Sequence, residues 1–519
     1  MKFVPAGTTP SQIRGWTAAS DGERDLPRRG DRMCDTVPMS FTDLREHLAF
    51  LREADELVTL RGADPVEEIG GLTELSLREG ESPALLFDDI EGYDPGYRLL
   101  TNATATPYLY AAAAGLPRST DRKEVVTAQR DHANVTDPIP PTNVDSGPVL
   151  ENVHRDGAVD VTLFPAPKWH THDGGRFLGT GDVVVTEHAD TGELNAGCYR
   201  IQVHDDDRVT CYMGPGRDGR ANMESYLDRG EPAPIVMSVG QPVDLFLGAT
   251  QRLPPNADEL AYVGALRGEP VETIEGEVTG LPIPATAEVV LEGHVYPDSD
   301  EVAEGPFGEF TGYYGGTGHT DRPVTVERVY HRDDPIVLGK PPLRPPAQAM
   351  TDVRMAARLW NELDDSGIPG IREANVMPFG PGFFDVVSID QQYAGHARQA
   401  GLHAMSCPSK SVFGRFTVIV DDDVDAYDEG EVLWAMCTRV DPAADIEIVD
   451  GQGSSTLDPT VTGDQKAAGD LTSSRALVDA TRPYHRRDEY AEVVEMRDGL
   501  EAELREKWDD DLFARWDGE

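Results

Sequence analysis

The stretch EGPFGEFTGYY, residues 304–314, is the most informative segment of the chain because it combines two carboxylates with a turn signal. Glu304 and Glu309 lie five residues apart, and in an unbroken helix or strand their side chains would diverge. The Gly-Pro-Phe-Gly sequence between them interrupts both kinds of element. We therefore expect a turn that lets the two carboxylates converge on one cavity.

A second polar segment, NAGCYR at residues 195–200, lies upstream in a strand-like run and supplies Arg200. An arginine between two glutamates can keep one carboxylate ionised and oriented while the other retains a proton. A carboxyl group that keeps its proton near neutral pH can act as a general acid. Arg200, Glu304 and Glu309 are therefore the candidate catalytic residues.

The charge of the chain is its most unusual bulk property. Its 519 residues include 93 Asp and Glu against 46 Lys and Arg, which gives a formal net charge of -47. The acidic residues are spread along the chain and do not form a single tail, so we expect a solvated, salt-adapted (halophilic) surface. Such a surface argues against nucleic acid and anionic membranes as partners.

Cysteine usage and hydropathy indicate a cytoplasmic protein. The five cysteines (Cys34, Cys198, Cys211, Cys407 and Cys437) are odd in number and lack metal-ligand spacing, which is typical of a reducing compartment. No apolar run approaches the length of a membrane span, and no signal peptide is recognisable. Residues 1–38 lack periodicity and are predicted to be a disordered extension, with Met39 as the start of the folded unit.

Hydrophobic periodicity predicts an α/β domain, then a β-rich domain, then a second α/β domain that ends in a helix. The expected boundaries are 39–150, 151–335 and 336–519. Ser40 or Thr42 is the predicted N-cap of the first helix, and Thr106 caps a later one. Predicted helices cover 40–51, 107–115, 259–267, 350–363, 431–440 and 489–516. Predicted strands cover 84–87, 97–100, 182–186, 199–203, 209–213, 235–239, 289–293, 324–329 and 416–420.

Three motifs in a fixed order resemble the UbiD family of reversible decarboxylases, which use prenylated FMN. They are NAGCYRIQV from residue 195, LPIPATAEVVLEG from residue 281 and EGPFGEFTGYY from residue 304, and the resemblance extends from about residue 41 to 484. It implies that the central domain is a split β-barrel that holds the flavin. It also implies an oligomer, a dimer or hexamer with subunit contacts through the C-terminal domain, and a flavin prenyltransferase as supplier of the cofactor.

The resemblance also assigns roles to individual residues. Glu309 matches the proton donor, Arg200 pairs with Glu304, and Arg415 matches a lysine position near the cofactor phosphate, although a salt bridge to nearby aspartates explains Arg415 equally well. The implied cofactor-binding residues are Cys198, Tyr199, Arg200, Tyr212, Met213, Gly214, Arg217 and Arg415.

A divalent metal, usually manganese, and potassium are further cofactors that the resemblance implies. Asn195 and Glu259 match two oxygen ligands of the divalent ion, although Glu259 could equally favour a helix N-terminus. The family's histidine ligand is missing, with Gly216 or Arg217 in its place, and Arg217 could bind the phosphate directly. His170 and His172 form a competing H-x-H candidate for a metal site, against their interpretation as polar loop residues.

The predicted function is non-oxidative decarboxylation of an aromatic or α,β-unsaturated acid. Its substrate would resemble a polyprenyl-hydroxybenzoate or an isoprenoid-pathway intermediate such as anhydromevalonate phosphate, which would place it in quinone or isoprenoid biosynthesis. The main alternative is an FMN-binding redox protein on the same barrel, which needs no carboxylate pair. Two further alternatives are less favoured. A flavin-storing protein would not need a proton donor, and a hydrolase with two catalytic carboxylates would leave the NAGCYR motif unexplained.

Overall fold

The computed structural model describes residues 40–80, 82–134, 137–251, 253–254, 257–315, 318–344, 349–494, 496–497 and 499–508. The chain separates into two units, 1–38 and 39–519, and the described residues belong to the second. The predicted disordered extension and Met39 lie outside the described residues. No helix in the described part of the chain is long and apolar enough to cross a membrane.

The N-terminal region packs helices around a small sheet. Its strands β1 and β2 are parallel, and β2 and β3 are antiparallel. A later strand, Ile336–Leu338, pairs in parallel with β3 and so ties this region to the end of the central one. The elements are β1 (Leu57–Arg61), β2 (Ala84–Asp88), β3 (Arg98–Thr101), α1 (Leu44–Glu53), α2 (Glu68–Arg78), α3 (Pro107–Ala113) and α4 (Arg122–His132).

Helix α1 has the predicted apolar face but a different cap. Leu44, Leu48 and Leu51 are buried, as their spacing predicts. The N-cap is Asp43, whose carboxylate accepts a hydrogen bond from the Glu46 amide at 2.8 Å, so the predicted caps Ser40 and Thr42 were wrong. Helix α3 begins at Pro107, and the Thr106 hydroxyl caps it as predicted.

The central region is built on an antiparallel sheet that curls into a half-barrel. Among the described residues its order is β6-β9-β10-β17-β14-β11-β7-β8, and β5 pairs with β17. The strands are β4 (Thr142–Asn143), β5 (Asn152–Arg155), β6 (Arg176–Gly179), β7 (Val183–Glu187), β8 (Leu194–Gly197), β9 (Ile201–Val203), β10 (Arg208–Cys211), β11 (Ala233–Ser238), β12 (Glu272–Glu275), β13 (Pro282–Pro284), β14 (Val289–Val295), β15 (Val302–Glu304), β16 (His319–Asp321), β17 (Val324–His331) and β18 (Ile336–Leu338).

Three helices pack against this sheet, and the sequence predicted only one of them. Helix α7 (Glu259–Arg267) has the predicted bounds. Helix α5 (Asp218–Leu227) buries only Gly219, Asn222 and Met223, so it carries little apolar periodicity. In helix α6 (Val243–Ala249) every residue but Asp244 is buried, so no amphipathic pattern marks it as a helix.

The C-terminal region is a mixed sheet in the order β19-β20-β21-β23-β22 with helices packed against it. Its strands are β19 (Ile371–Val376), β20 (Phe384–Ile389), β21 (Phe416–Asp421), β22 (Ile446–Gly453) and β23 (Thr472–Ala480), and its helices are α8 (Ala349–Asp365), α9 (His396–Ser406), α10 (Glu429–Arg439), α11 (Gly463–Ala468) and α12 (Leu500–Trp508). The predicted helix from Glu489 was wrong in its first part, because the described residues between 490 and 499 are not helical. Its end beyond Trp508 lies outside the described residues.

Candidate active site

Arg200 binds both glutamates of the 304–314 segment, as the sequence predicted. Its Nε and Nη2 donate to the two carboxylate oxygens of Glu304, each at 2.7 Å. Its Nη1 donates to Glu309 Oε1 at 2.6 Å. The bidentate contact fixes the orientation of Glu304, while Glu309 is held through one oxygen.

The two carboxylates differ in how deeply they are buried. The Glu304 side chain is fully buried, whereas 15% of the Glu309 side chain is exposed. Burial raises the pKa of Glu309 above its usual range and the neighbouring Glu304 charge raises it further, against the opposing effect of Arg200. Glu309 is therefore suited to keep a proton that it can donate.

Local backbone structure brings these three side chains together. Arg200 lies in the connection between β8 and β9, where the Tyr199 amide donates to the buried carboxylate of Asp182 at 3.0 Å. Glu304 ends β15, and Gly305 then takes a left-handed conformation with φ 68°. The Gly305 amide donates to Gln202 Oε1 at 2.8 Å, which ties the turn to β9. The predicted turn therefore gathers the carboxylates beside Arg200.

His319 is a neighbour of this group that the motifs did not indicate. It pairs with Glu304 across the β15–β16 hairpin, and its Nε2 lies 3.4 Å from Glu304 Oε2. Its ring packs against Tyr212 at 4.4 Å between centroids, and the Arg200 guanidinium lies 4.3 Å from the centre of the same Tyr212 ring. A hairpin prediction for 302–321 would have placed His319 opposite Glu304.

The segment 211–217, expected to contact the cofactor, runs from the end of β10 to the start of α5. Tyr212 lies on the Arg200 guanidinium and Met213 is buried. Beside Gly214 there is open space, since a Cβ there would approach only the Tyr212 hydroxyl, at 3.8 Å. Arg217 is exposed just before α5. This segment leaves room for a ligand next to Arg200.

Cys198 and Asp352 lie within electrostatic range of the Lys340 ammonium. The Cys198 thiol donates to Asp182 Oδ1 at 3.7 Å. Burial lowers the pKa of Lys340 to about 8, and its ammonium has no hydrogen-bond partner among the described residues. A phosphate or carbonyl oxygen of a bound ligand would give this ammonium a partner. The donor set therefore fits an anionic flavin.

Arg415 lies in the C-terminal region and makes the alternative contact that the sequence allowed. Its Nη2 pairs with Asp458 and donates to Thr460 Oγ1 at 3.0 Å. Despite burial, hydrogen bonds from Arg415, Ser454 and Thr460 to Asp458 lower the pKa of Asp458 to about 2. Leu457 of the same loop reaches the Glu309 turn, since a Cβ on Gly315 would lie 3.1 Å from Leu457 Cδ2 and 3.0 Å from Glu309 Cγ.

The two predicted metal ligands lie close together and are both largely buried. The Ala196 amide donates to Glu259 Oε2 at 2.9 Å, and the Tyr199 hydroxyl donates to Asn195 Oδ1 at 3.0 Å. Asp258, not Glu259, caps α7. Among the described residues no three His, Cys, Asp or Glu side chains form a metal cluster. Two oxygen ligands fit a hard cation whose other positions are taken by ligand oxygens or water.

The competing H-x-H candidate does not form a paired metal site. Residues 170–172 lie in a turn, not on a strand. The His170 ring faces Gly308, and the His172 ring meets the Tyr314 ring edge to face at 5.8 Å. The two histidines therefore contact the Glu309 turn.

Comparison with known proteins gives the family. Residues 48–129, 142–345 and 348–480 match the N-terminal, Rift-related and C-terminal domains of 3-octaprenyl-4-hydroxybenzoate carboxy-lyase, UbiD. A phenolic acid decarboxylase from Bacillus subtilis (strain 168) is 30% identical over 459 residues, which cover 86% of this chain and 93% of that protein.

Solved structures agree with that assignment. The vanillic acid decarboxylase of Sedimentibacter hydroxybenzoicus in open form aligns with a TM-score of 0.79 at 27% identity, over 91% of this chain and 100% of that one. A UbiD-class enzyme from Pelotomaculum thermopropionicum in complex with FMN aligns with a TM-score of 0.77 at 28% identity, over 89% and 99%. These structures confirm the expected fold class. The chain therefore belongs to the UbiD family and is a decarboxylase, a carboxy-lyase of that family.

Proposed function

We propose that this enzyme reversibly and non-oxidatively decarboxylates an aromatic acid, with a phenolic acid as the substrate class and prenylated FMN as the cofactor. The observation that carries the proposal is the Arg200 guanidinium bound to one fully buried and one partly exposed carboxylate. The names of the relatives support the substrate class, since they are phenolic acid decarboxylases. One related structure holds prenylated FMN.

The chain's own residues supply charge and a proton. Loss of carbon dioxide from an aryl carbon leaves electrons that no side chain accepts readily, and prenylated FMN supplies that electron sink when bound. Arg200 offers a fixed cation beside the substrate carboxylate. Glu309 donates a proton to the carbon that has lost carbon dioxide, and takes one back in the reverse direction. Glu304 keeps Arg200 in place and by its charge helps Glu309 to stay protonated.

Several residues would hold the cofactor and its metal. Cys198, Tyr199, Tyr212, Met213 and Gly214 would line the flavin beside Arg200. Arg217 and Lys340 are the cations available for its phosphate and polar edge, and Arg415 could join them by exchanging its salt bridge with Asp458. Asn195 and Glu259 would hold a divalent ion, manganese by likeness to the family, and potassium follows from the same likeness.

The enzyme's setting belongs to the same proposal. It would work in a salt-rich cytoplasm, as a dimer or hexamer, with a flavin prenyltransferase to provide the cofactor. A place in quinone or isoprenoid biosynthesis would follow only if its substrate carries a polyprenyl group or an isoprenoid chain.

The direct test is co-expression with a flavin prenyltransferase, purification in concentrated potassium chloride and mass spectrometry of the released cofactor. We expect the mass of prenylated FMN, and release of carbon dioxide from a panel of hydroxylated benzoic acids. Plain FMN with no carbon dioxide release from any acid would favour the redox alternative.

A further inference from the structure

The loop 168–174, which contains the H-x-H sequence, connects the N-terminal region to the Glu304–Glu309 turn. At one end its backbone pairs with the segment before α2: the Lys168 amide donates to Pro65 O at 3.0 Å, and the Glu67 amide donates to Lys168 O at 2.8 Å. Trp169 is buried, and its carbonyl lies so close to Gly70 that a Cβ there would be 2.1 Å away. This end of the loop is thus fixed to a packed part of the fold.

The other end of the loop contacts the catalytic turn at three separate points. The Gly174 amide donates to Pro306 O at 2.7 Å. The His170 ring faces Gly308, and the Asp173 carboxylate holds this part of the loop by accepting a hydrogen bond from the His170 amide at 2.8 Å. The His172 amide donates to the Tyr314 hydroxyl at 3.2 Å. These contacts lie on both sides of Glu309, so the loop constrains the turn from before and after that residue.

Asp173 is the buried member of this set. Its side chain is fully buried, and the ring nitrogen His170 Nδ1 lies 3.8 Å from Oδ2. Its other oxygen, Oδ1, has no hydrogen-bond partner in the described structure. Burial raises the pKa of Asp173 despite the hydrogen bond from the His170 amide. A carboxylate is costly to bury, and this one holds the part of the loop that lies against Gly308, directly before Glu309.

We propose that Asp173 is a positioning residue for the decarboxylation: by holding the His170 part of the loop against Gly308, it fixes where the Glu309 carboxyl lies relative to Arg200. The assignment rests on the proposed role of Glu309 as proton donor. A proton donor must lie within hydrogen-bond reach of the reacting carbon, and a shift of about 1 Å can cost on the order of 100-fold in rate.

Hydrogen–deuterium exchange on cofactor-free protein tests the positioning role without any activity assay. In Asp173→Ala we expect peptides within 304–315 to exchange at least about tenfold faster, with other peptides unchanged. Asp173→Asn keeps an oxygen acceptor for the His170 amide and should restore most of the protection. The matched control is Asp479→Ala, since Asp479 is also largely buried and accepts from a backbone amide, that of Thr481 at 3.1 Å.

Turnover of the loaded enzyme gives the second readout. We expect Asp173→Ala to lower kcat at least about tenfold with KM within about twofold, and Asp173→Asn to recover most of kcat. Unchanged exchange in 304–315, or equal exchange changes in the Asp479→Ala control, would overturn the positioning role. If wild type itself releases no carbon dioxide, the proposed function fails, while the exchange result still decides the role of Asp173.

A milder variant covers the case in which Asp173→Ala does not fold. Tyr314→Phe removes only the hydroxyl that accepts from the His172 amide, on a side chain that is 36% exposed. We expect about threefold faster exchange in 310–315 in the folded variant. Wild-type exchange there would show that the loop does not restrain the turn.

Discussion

At the scale of single residues, the site depends on how Arg200 divides its contacts between two carboxylates. Glu304 accepts two hydrogen bonds from Arg200 and is shielded from solvent. Glu309 accepts one hydrogen bond from Arg200 and remains partly exposed. The guanidinium bonds mainly to Glu304. At Glu309, burial and the Glu304 charge therefore outweigh the effect of Arg200 and raise the Glu309 pKa. One arginine thereby gives two glutamates different roles.

The pH dependence of decarboxylation follows from that raised pKa. Glu309 acts as an acid only when protonated, and its folded-state pKa lies above that of a free glutamate. We therefore expect activity to be retained above pH 4.5 and to fall about tenfold per pH unit once pH exceeds the Glu309 pKa. The measurement is kcat/KM against pH with a substrate that does not titrate in the same range. A rate that rises with pH throughout would contradict the assignment.

Glu304→Gln should move the high-pH decline in decarboxylation rate to lower pH. The amide keeps the shape of the side chain but removes the negative charge that raises the Glu309 pKa, and it frees Arg200 to bind Glu309 more strongly. The measurement is the same pH profile on variant and wild type at equal cofactor content. A decline in rate that moves to higher pH would be inconsistent with charge coupling between Glu304 and Glu309.

At the scale of elements, close backbone packing positions the catalytic turn. A Cβ on Gly174 would lie 1.8 Å from the Gly305 carbonyl oxygen, so the loop 168–174 can approach the turn only because residue 174 is glycine. On the opposite side, the Phe310 ring lies 5.7 Å from the Phe413 ring of the C-terminal region. The turn is therefore enclosed by segments that are distant in sequence.

Gly174→Ala should displace the turn and reduce turnover. The added methyl group meets backbone atoms that cannot rotate away, and we expect a loss of stability of about 1–3 kcal/mol with at least about a tenfold loss of kcat. Gly157→Ala is the matched control, because a Cβ there meets nothing within 4 Å. Melting temperature and turnover report the two effects. Similar losses in both variants would argue against the specific contact.

The sequence predicted the catalytic residues Arg200, Glu304 and Glu309 better than it predicted the residues around them. Glu304, Glu309 and Arg200 could be found because glycine, proline and charge form compact motifs, and their convergence needed only a turn. His319 and Asp173 reach the same site through strand pairing and loop packing, which leave no local pattern. The first part of the predicted helix from Glu489 was wrong because charge and scattered apolar residues there resemble an amphipathic helix, although Val494 is fully exposed.

At the scale of the whole molecule, the fold joins its parts through shared elements. Strand β18 follows the central sheet in sequence but completes the N-terminal sheet, and Gly339 and Lys340 follow directly after it. The net charge of -47 is a property of the complete chain. Mutual repulsion of that size opposes a compact state, and dissolved salt screens it.

Stability should therefore rise with salt. We expect the melting temperature to increase between about 0.1 M and 2 M potassium chloride, because the Debye length falls from about 10 Å to below about 3 Å. Sodium chloride at equal concentration is the control that separates general screening from a specific effect of potassium. A melting temperature that stays constant or falls in both salts would be evidence against a salt-adapted surface.

The most direct test of the account compares wild type with Glu309→Gln, both loaded with prenylated FMN to the same content. Carbon dioxide release from a phenolic acid that wild type consumes is the quantity to measure. We predict that the variant keeps the cofactor and loses about 100-fold or more in kcat, since it lacks the proton donor. A variant that turns over at the wild-type rate would contradict the role of Glu309 and, with it, the mechanism.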